Sequence, residues 1–324
     1  MKLQFFRLRF EFSAKGSILF PPGKAGNIVR GAFGTIFRRI ACVPTCDDVA
    51  ACEIGNSCPY ALVFEPRPSA AHPSGFSELP RPFVFRAAHL DGRTVAPGEG
   101  FYFDIHLFAI HMPVLPYFVL TFAQLAREGI GPGRGAASLR AVDQLDLAGG
   151  RIANLFDGAT FQARSMMPSV VELAAPASAT RLRVRFVTPT EIKSGHEPVS
   201  RPEFSVLYAR LRDRISILGS LYGDGPLDID FRAAQERATH IRLLHCDLRH
   251  EDVQRRSSRT GRYHSIGGFA RRRPRVGEVV YEGELGEFVP YLEAGKWIGV
   301  GRQTVWGKGE LDVECPNSTA SAVR

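Results

Sequence analysis

The 324 residues contain no apolar run approaching the roughly 18 to 20 residues of a membrane span, so they offer no candidate membrane helix. The continuous apolar core of a secretory signal is missing too. The opening MKLQFFRLRFEF alternates apolar and polar residues and reads as a strand. A cytoplasmic protein with no membrane partner is expected. A complete phosphate-binding loop is also lacking. GVGRQTVWGKGEL (299–311) looks like one, but five residues separate Gly301 from Gly307, and Gly309 follows Lys308 where Ser or Thr should hold magnesium. The fifteen residues after Gly309 read as strand and tail, not as the helix such a loop opens, so a nucleoside triphosphatase is not expected. Histidine is absent before His72, which leaves the early part of the chain without an imidazole for proton transfer. The carboxylate pairs Asp47–Asp48 and Asp228–Asp230 lack the further acidic ligands of a two-metal nuclease.

What is present describes a globular protein, with 44% hydrophobic and 23% charged residues and a length that suits two domains. Its 41 basic against 33 acidic residues give a net charge of +8. That charge is not spread evenly. Residues 255–275, RRSSRTGRYHSIGGFARRRPR, hold eight arginines and no acid, interleaved with Tyr263 and Phe269. Arginine forks phosphates and stacks on bases, and aromatic rings add stacking platforms, so the segment suits single-stranded or hairpin nucleic acid. Arg255, Arg259, Arg262, Tyr263, Arg271, Arg272 and Arg273 are its candidate contacts. A solvated basic loop or a membrane-surface patch is the competing reading.

Hydrophobic periodicity divides the chain into two similar halves. A strand (3–12) precedes a helix over AGNIVRGAFGTIFRRI (25–40) with apolar residues at helical spacing. Next are a strand at FYFDIHLFAIH (101–111), a helix at VLPYFVLTFAQLAREG ended by GIGPGRG, and a strand at SLRAVDQLDL. After ELAAPASAT (172–180) the order begins again: RLRVRFVTP as strand, PEFSVLYARLRDRISILGSLYG as helix, HIRLLHCDL and RVGEVVYEGE as strands. LGEFVPYLEAG then reads as a helix, with KWIGVG and GELDVEC as closing strands. Strand, helix, strands, helix, strand is the ferredoxin-like (RRM-like) order, so the expected class is α+β: two such domains in tandem with antiparallel sheets. The expected boundaries are 1–173, 181–315 and a tail at 316–324. His106 and His111, and likewise His240, His245 and His250, stand five apart on expected strands, alternate faces, and read as structural.

Four of the six cysteines, Cys42, Cys46, Cys52 and Cys58, are spaced C-x3-C-x5-C-x5-C within seventeen residues (42–58). In a reducing compartment such a cluster suggests metal, either structural zinc bound by four thiolates or an iron–sulfur cluster on the same ligands. Free thiols or three-ligand binding are the alternatives.

NIVRGAFGTIFRRIAC, CPYALVFEP, FVTPTEIKSG with PEFSVLYARLRDRI, RRSSRTGRYHSIGGF, and GELGEFVPYLEAGKWIGVGRQTVWGKGEL together resemble the RAMP superfamily of CRISPR-associated proteins. The nearest likeness is to its sixth Cas family, the endoribonuclease that cuts precursor CRISPR RNA within its repeats. The resemblance covers most of the chain and is strongest from residue 183 onward. It implies metal-independent cleavage: the 2′-hydroxyl attacks the adjacent phosphate, leaving a 2′,3′-cyclic phosphate and a 5′-hydroxyl, with no catalytic cofactor. It implies CRISPR repeat RNA and mature crRNA as partners, with other Cas effector subunits beside them. Histidine usually moves the proton in such enzymes, in or near the first helix, and this sequence departs from that pattern. Lys24 and Arg30 are the local catalytic candidates, with His264 in the basic segment as a third, and Lys193 and His196 as loop candidates. Arg38 and Arg39 of the same helix, and Lys193, are candidate RNA contacts. Gly299, Gly301, Gly307 and Gly309 would let amides and Lys308 approach an RNA backbone or the first helix, with Arg302, Gln303, Thr304 and Trp306 alongside. A hairpin whose glycines only turn the chain is the other reading. The rival function is a RAMP subunit that holds crRNA in an effector complex without cutting it.

Overall fold

The computed structural model describes residues 1–43, 46, 52, 54–55, 57–66, 79–108, 114–162, 166–173, 178–195, 197–251, 254–256, 263–265, 268–270 and 277–315; residues 250–251, 254–256, 263–265 and 269–270 are described by their backbone. The chain divides into two compact units. An N-terminal unit comprises Gln4–Ser169 with Leu221–Gly223, and a C-terminal unit comprises Val170–Ser220 and the chain from Asp224 onward, with Met1–Leu3.

The N-terminal unit is built on β1 (Lys2–Ala14), whose alternation buries Leu3, Phe5, Leu8, Phe10, Phe12 and Ala14. It continues through β2 (Ile18–Leu19), α1 (Ala25–Gly31), α2 (Phe33–Ala41), α3 (Pro59–Phe64), β3 (Phe83–Arg86) and a 3-10 turn (Ala88–Leu90). Then come β4 (Thr94–Val95), β5 (Gly100–Leu107), α4 (Leu115–Glu128), β6 (Ala137–Leu145), β7 (Arg151–Phe156) and β8 (Ser169–Glu172). The antiparallel sheet runs β3-β5-β1-β6-β7, so the first long strand lies between the third and fourth of the ferredoxin-like set. α2 and α4 cover one face through a phenylalanine core. Phe33 stacks on Phe122 at 4.9 Å and meets Phe37, Phe64, Phe83, Phe85 and Phe118 at 5.2–5.6 Å between ring centroids. The single helix expected over 25–40 is two, because the chain turns at Ala32 after Gly31, and glycine supports a helix interior poorly.

The C-terminal unit begins with β9 (Arg181–Phe186), β10 (Lys193–Ser194) and β11 (Glu197–Pro198), followed by α5 (Phe204–Tyr222) and α6 (Phe231–Thr239). It continues through β12 (Arg242–Cys246), β13 (Arg249–Glu251), β14 (Gln254–Arg256), β15 (Tyr263–Ser265), β16 (Gly268–Ala270), β17 (Glu278–Glu282), α7 (Val289–Ile298) and β18 (Leu311–Glu314). Its sheet order, β12-β17-β9-β18, repeats the same arrangement, all antiparallel. Tandem ferredoxin-like architecture is therefore present in both units. Two local expectations fail. α6 is an extra helix, started by Asp230, whose carboxylate accepts from the Arg232 and Ala233 amides at 3.0 and 2.9 Å, and it makes His240 a helix-end residue instead of a strand residue. Lys296–Ile298, expected in a strand, instead completes α7, and Gly299 ends that helix at φ 72°. Among the described residues no helix is long and apolar enough to cross a membrane.

Candidate nucleic-acid interface

The open face of the C-terminal sheet is closed to anions by its own charges. Arg181 pairs with Glu282 at 3.2 Å, Arg183 with Glu278 at 3.5 Å, Arg185 with Glu314 at 2.9 Å, and Arg242 with Glu282 at 2.6 Å. Sheets that read RNA on this face present aromatic rings. Here the alternate positions of β9, β17 and β18 are Arg, Glu, Asp and Val280, while Tyr281 is buried inward. A polyanion would have to break these pairs before it could bind.

Beside that sheet three segments meet. The glycine loop hydrogen-bonds to the chain after β9: Val187 N donates to Glu310 O at 2.8 Å, Glu310 N to Thr188 Oγ1 at 3.0 Å, and Arg302 N to Glu191 O at 3.0 Å. Its glycines serve this contact. A Cβ on Gly301 would stand 2.2 Å from Glu191 O, and one on Gly309 1.9 Å from Val300 O, both at φ of +70° or more. The same stretch carries Lys193 in the β10–β11 bridge. It also supports the basic segment, where Gly268 lies against the Thr190 backbone. That segment, expected as a loop, enters as an antiparallel arm: β13 pairs with β16 and, farther out, β14 with β15, which sets Arg255 opposite His264 and Arg256 opposite Tyr263 in register.

The expected loop contacts sort differently from the sequence reading. Lys308 and Thr304 are buried, 5% and 4% exposed, so neither reaches solvent to meet an RNA backbone. Gln303 is half-buried in a left-handed conformation at φ 60°, Trp306 is half-buried, and Arg302 is exposed while its guanidinium pairs with Glu191 at 2.9 Å. Arg259, Arg262, Arg271, Arg272, Arg273 and His196 lie outside the described residues.

In the N-terminal unit, Lys24 is exposed at the N-cap of α1 and Arg30 half-buried in its last turn. Six residues apart on a helix, they do not share a face. His264 belongs to the other unit. Arg38 and Arg39 are exposed on α2, but Arg39 pairs with Glu128 and Arg38 donates to Cys46 O at 3.3 Å. The four cysteine thiols form a chain of contacts: Cys58 to Cys42, Cys42 to Cys46, Cys46 to Cys52. Burial and the neighbouring Cys58 and Cys46 push the Cys42 thiol up to about 11, so it is protonated at neutral pH. Among the described residues no three His, Cys, Asp or Glu side chains form a group able to hold a metal ion, so the zinc or iron–sulfur expectation gains no support from this arrangement.

One residue the sequence reading passed over is His89. It projects from the 3-10 turn that packs on α1 and is held from three sides. Asp91 Oδ1 accepts from the Ala25 amide at 2.8 Å, while Gly92 N bonds to Phe20 O and Phe20 N to Arg93 O, each at 2.8 Å. The exposed imidazole stacks on Tyr102 at 4.4 Å, with Nε2 2.9 Å from Tyr102 O. Arg9 also lies over the Tyr102 ring, 3.9 Å from its centroid, and with Arg7 clasps Asp104 at 2.8–3.1 Å. Burial alone would raise the Asp104 pKa, but bonds and charge from Arg9 and Arg7 bring it below the usual value. His106, by contrast, is buried with its ring 5.3 Å from Phe5, as the structural reading expected. His111 lies outside the described residues.

Residues 3–167 match the family model AF_1859_N, N-terminal domain, and residues 184–311 match that of the CRISPR-associated endoribonuclease Cas6. A comparison with curated proteins gives no match. Among solved structures the chain is similar to a Cas6 (TTHB231) product complex, at 16% identity and TM-score 0.55, covering 96% of this chain and 100% of that one. It is also similar to Thermus thermophilus Cas6 (TTHB231), at 15% identity and TM-score 0.51, covering 96% and 98%. A partial Cas6-RT-Cas1–Cas2 complex is similar at 12% identity and TM-score 0.57 over 99% of this chain and 47% of that one. At these identities the structural likenesses establish the shared fold.

Proposed function

From the premise that this chain belongs to the Cas6 family of RAMP proteins, we propose that it is an endoribonuclease that binds CRISPR repeat RNA and cuts it within the repeat without a catalytic metal. The observation that carries this reading is the pair of family models in tandem, one on each ferredoxin-like unit. The C-terminal unit supports it chemically. Its sheet is self-neutralised, while the arginine-rich arm, the half-buried Lys193 and the exposed Arg302 stand on segments that meet through the 188–192 stretch. The arginine-rich composition of that segment suits phosphate binding.

In this reading the RNA backbone is held so that its own 2′-hydroxyl attacks the neighbouring phosphorus in line with the leaving 5′-oxygen. The protein's part is to orient that attack, to take the hydroxyl proton, and to stabilise the charge on the crowded phosphorane with cations. Mature crRNA is the product, and other Cas effector subunits are the proposed recipients. The test is cleavage of an end-labelled host repeat RNA in excess chelator, with product ends identified by mass spectrometry. A single cut with a 2′,3′-cyclic phosphate is expected. Tight binding with no cut would support the second reading, an RNA-holding subunit, which the absence of histidine before His72 favours.

A further inference from the structure

Cleavage by 2′-hydroxyl attack needs a proton acceptor that is exposed, oriented and neutral at working pH. Among the described histidines of the N-terminal unit, His106 is buried beneath Phe5, which leaves His89 as the exposed imidazole. Its geometry fixes what it can do. A backbone carbonyl only accepts hydrogen bonds, so the 2.9 Å contact between Nε2 and Tyr102 O places the proton on Nε2 and leaves the lone pair on Nδ1. The stack on Tyr102 holds the ring plane, and the turn that carries it is tied to the start of α1 by the Asp91 to Ala25 bond. Lys24 is exposed at that same N-cap.

We propose that His89 is the proton acceptor of the cleavage reaction, using Nδ1 to take the proton of the attacking 2′-hydroxyl. The bond from the 2′-oxygen to phosphorus forms as the bond to the 5′-oxygen breaks. The 2′ proton passes to Nδ1, and the leaving oxygen takes a proton from water. The turn thus does from outside the first helix what a histidine within that helix would do. The inference rests on the endoribonuclease reading above.

The groups facing the imidazole set its titration. Loss of hydration where the ring packs on Tyr102 lowers its pKa, the Tyr102 carbonyl and Asp104 raise it, and Arg9 and Arg93 lower it; the balance lies below the ordinary histidine value. Arg93 is itself paired with Glu99 at 2.6 Å, and Asp91 and Lys24 stand on the α1 side. The neutral, proton-accepting form therefore predominates at neutral pH, and single-turnover cleavage should fall as pH drops through that lowered pKa.

His89→Asn and His89→Ala should be compared with wild type for repeat-RNA affinity, single-turnover rate across pH 4.5–8.5 (about the range that brackets an ordinary histidine), and thermal melting. Asparagine can donate to the Tyr102 carbonyl but cannot accept the proton. Both variants should bind RNA as wild type does, lose about 100-fold or more in rate, and lose the acid limb of the profile. Added imidazole should restore part of the rate in His89→Ala. If the wild type cuts and His89→Asn stays within threefold with its acid limb intact, the inference fails and the endoribonuclease reading stands. A wild-type protein that binds without cutting overturns both.

Discussion

Replacing Gly301 by alanine separates two roles a glycine-rich loop can have: making room for RNA and making room for its own protein. Gly301 has φ +79°, and an added Cβ would stand 2.2 Å from Glu191 O, roughly 1 Å inside ordinary contact. Gly195, in the same unit, has φ +60° with nothing within 4 Å of its Cβ. Alanine at either position carries left-handed strain of about 1.5 kcal/mol. At Gly301 it also forces Glu191 away, weakening the 3.0 Å bond from Arg302 N by about 1 kcal/mol and adding about 2 kcal/mol of overpacking. The expected cost is about 4.5 kcal/mol for Gly301→Ala against about 1.5 for Gly195→Ala, a gap in melting temperature of about 9 °C for a unit of this size. Differential scanning calorimetry measures both, and filter binding at a temperature where both variants are folded measures RNA affinity. Equal melting temperatures would refute the close approach to Glu191 as the reason for glycine. So would an unshifted melt with a tenfold loss of RNA affinity, which would return the loop to a direct nucleic-acid role.

Two further perturbations test the electrostatics. Arg259→Ala with Arg262→Ala should weaken repeat-RNA binding and lower the slope of log affinity against log salt by about 1 to 2, whereas Arg185→Ala, on the ion-paired sheet face, should leave affinity within about twofold; the reverse order in a salt titration would place the RNA on the sheet. Asp104→Asn should cost about 2 kcal/mol at neutral pH, because Arg7 and Arg9 lose their shared carboxylate. The Asp104 pKa is depressed in the fold, so its contribution is present above the unfolded value of about 3.9 and is lost as pH falls through the lower folded value. The stability gap between wild type and variant should hold from pH 7 to about 5 and close below about 4; a gap independent of pH would count against the ion pair.

The architecture was legible because both halves write their periods plainly. Val184, Phe186, Val279, Tyr281, Leu311 and Val313 alternate inward, and Leu207, Leu211, Ile215 and Leu218 recur at helical spacing in α5. What escaped depended on partners far along the chain. Nothing local says that Lys308 turns inward or that Gly301 faces Glu191, since the loop folds back on the chain after β9, more than a hundred residues earlier. α6 was passed over because it is short and polar, with Ala234 and Ala238 as its buried contacts. The break at Ala32 follows Gly31, a local signal that the continuous helical spacing of apolar residues over 25–40 obscured. The site was harder to read than the fold for the same reason. His89 stands in AAHLDGR, where the Asp-Gly pair signals a turn, but its link to the first helix is the 2.8 Å bond from Ala25 N to Asp91.

The charge distribution argues for an interface built on insertions. The eight arginines of 255–275 equal the whole net charge of +8; setting them aside leaves 33 basic residues against 33 acidic ones. The ladder on the C-terminal sheet shows how that balance is kept locally, each arginine of β9 being met by a carboxylate of β17 or β18. A fold that neutralises its open sheet gives a passing polyanion little reason to settle there, and one strongly cationic arm then decides where encounter begins. Raising salt should therefore slow association through the arm while leaving the two folded units unaffected, because surface pairs of the ladder kind contribute only about 0 to 1 kcal/mol each and the phenylalanine core is indifferent to ionic strength. On the proposed function, affinity would reside in the arm and stability in the folded units, and salt would alter the first without the second.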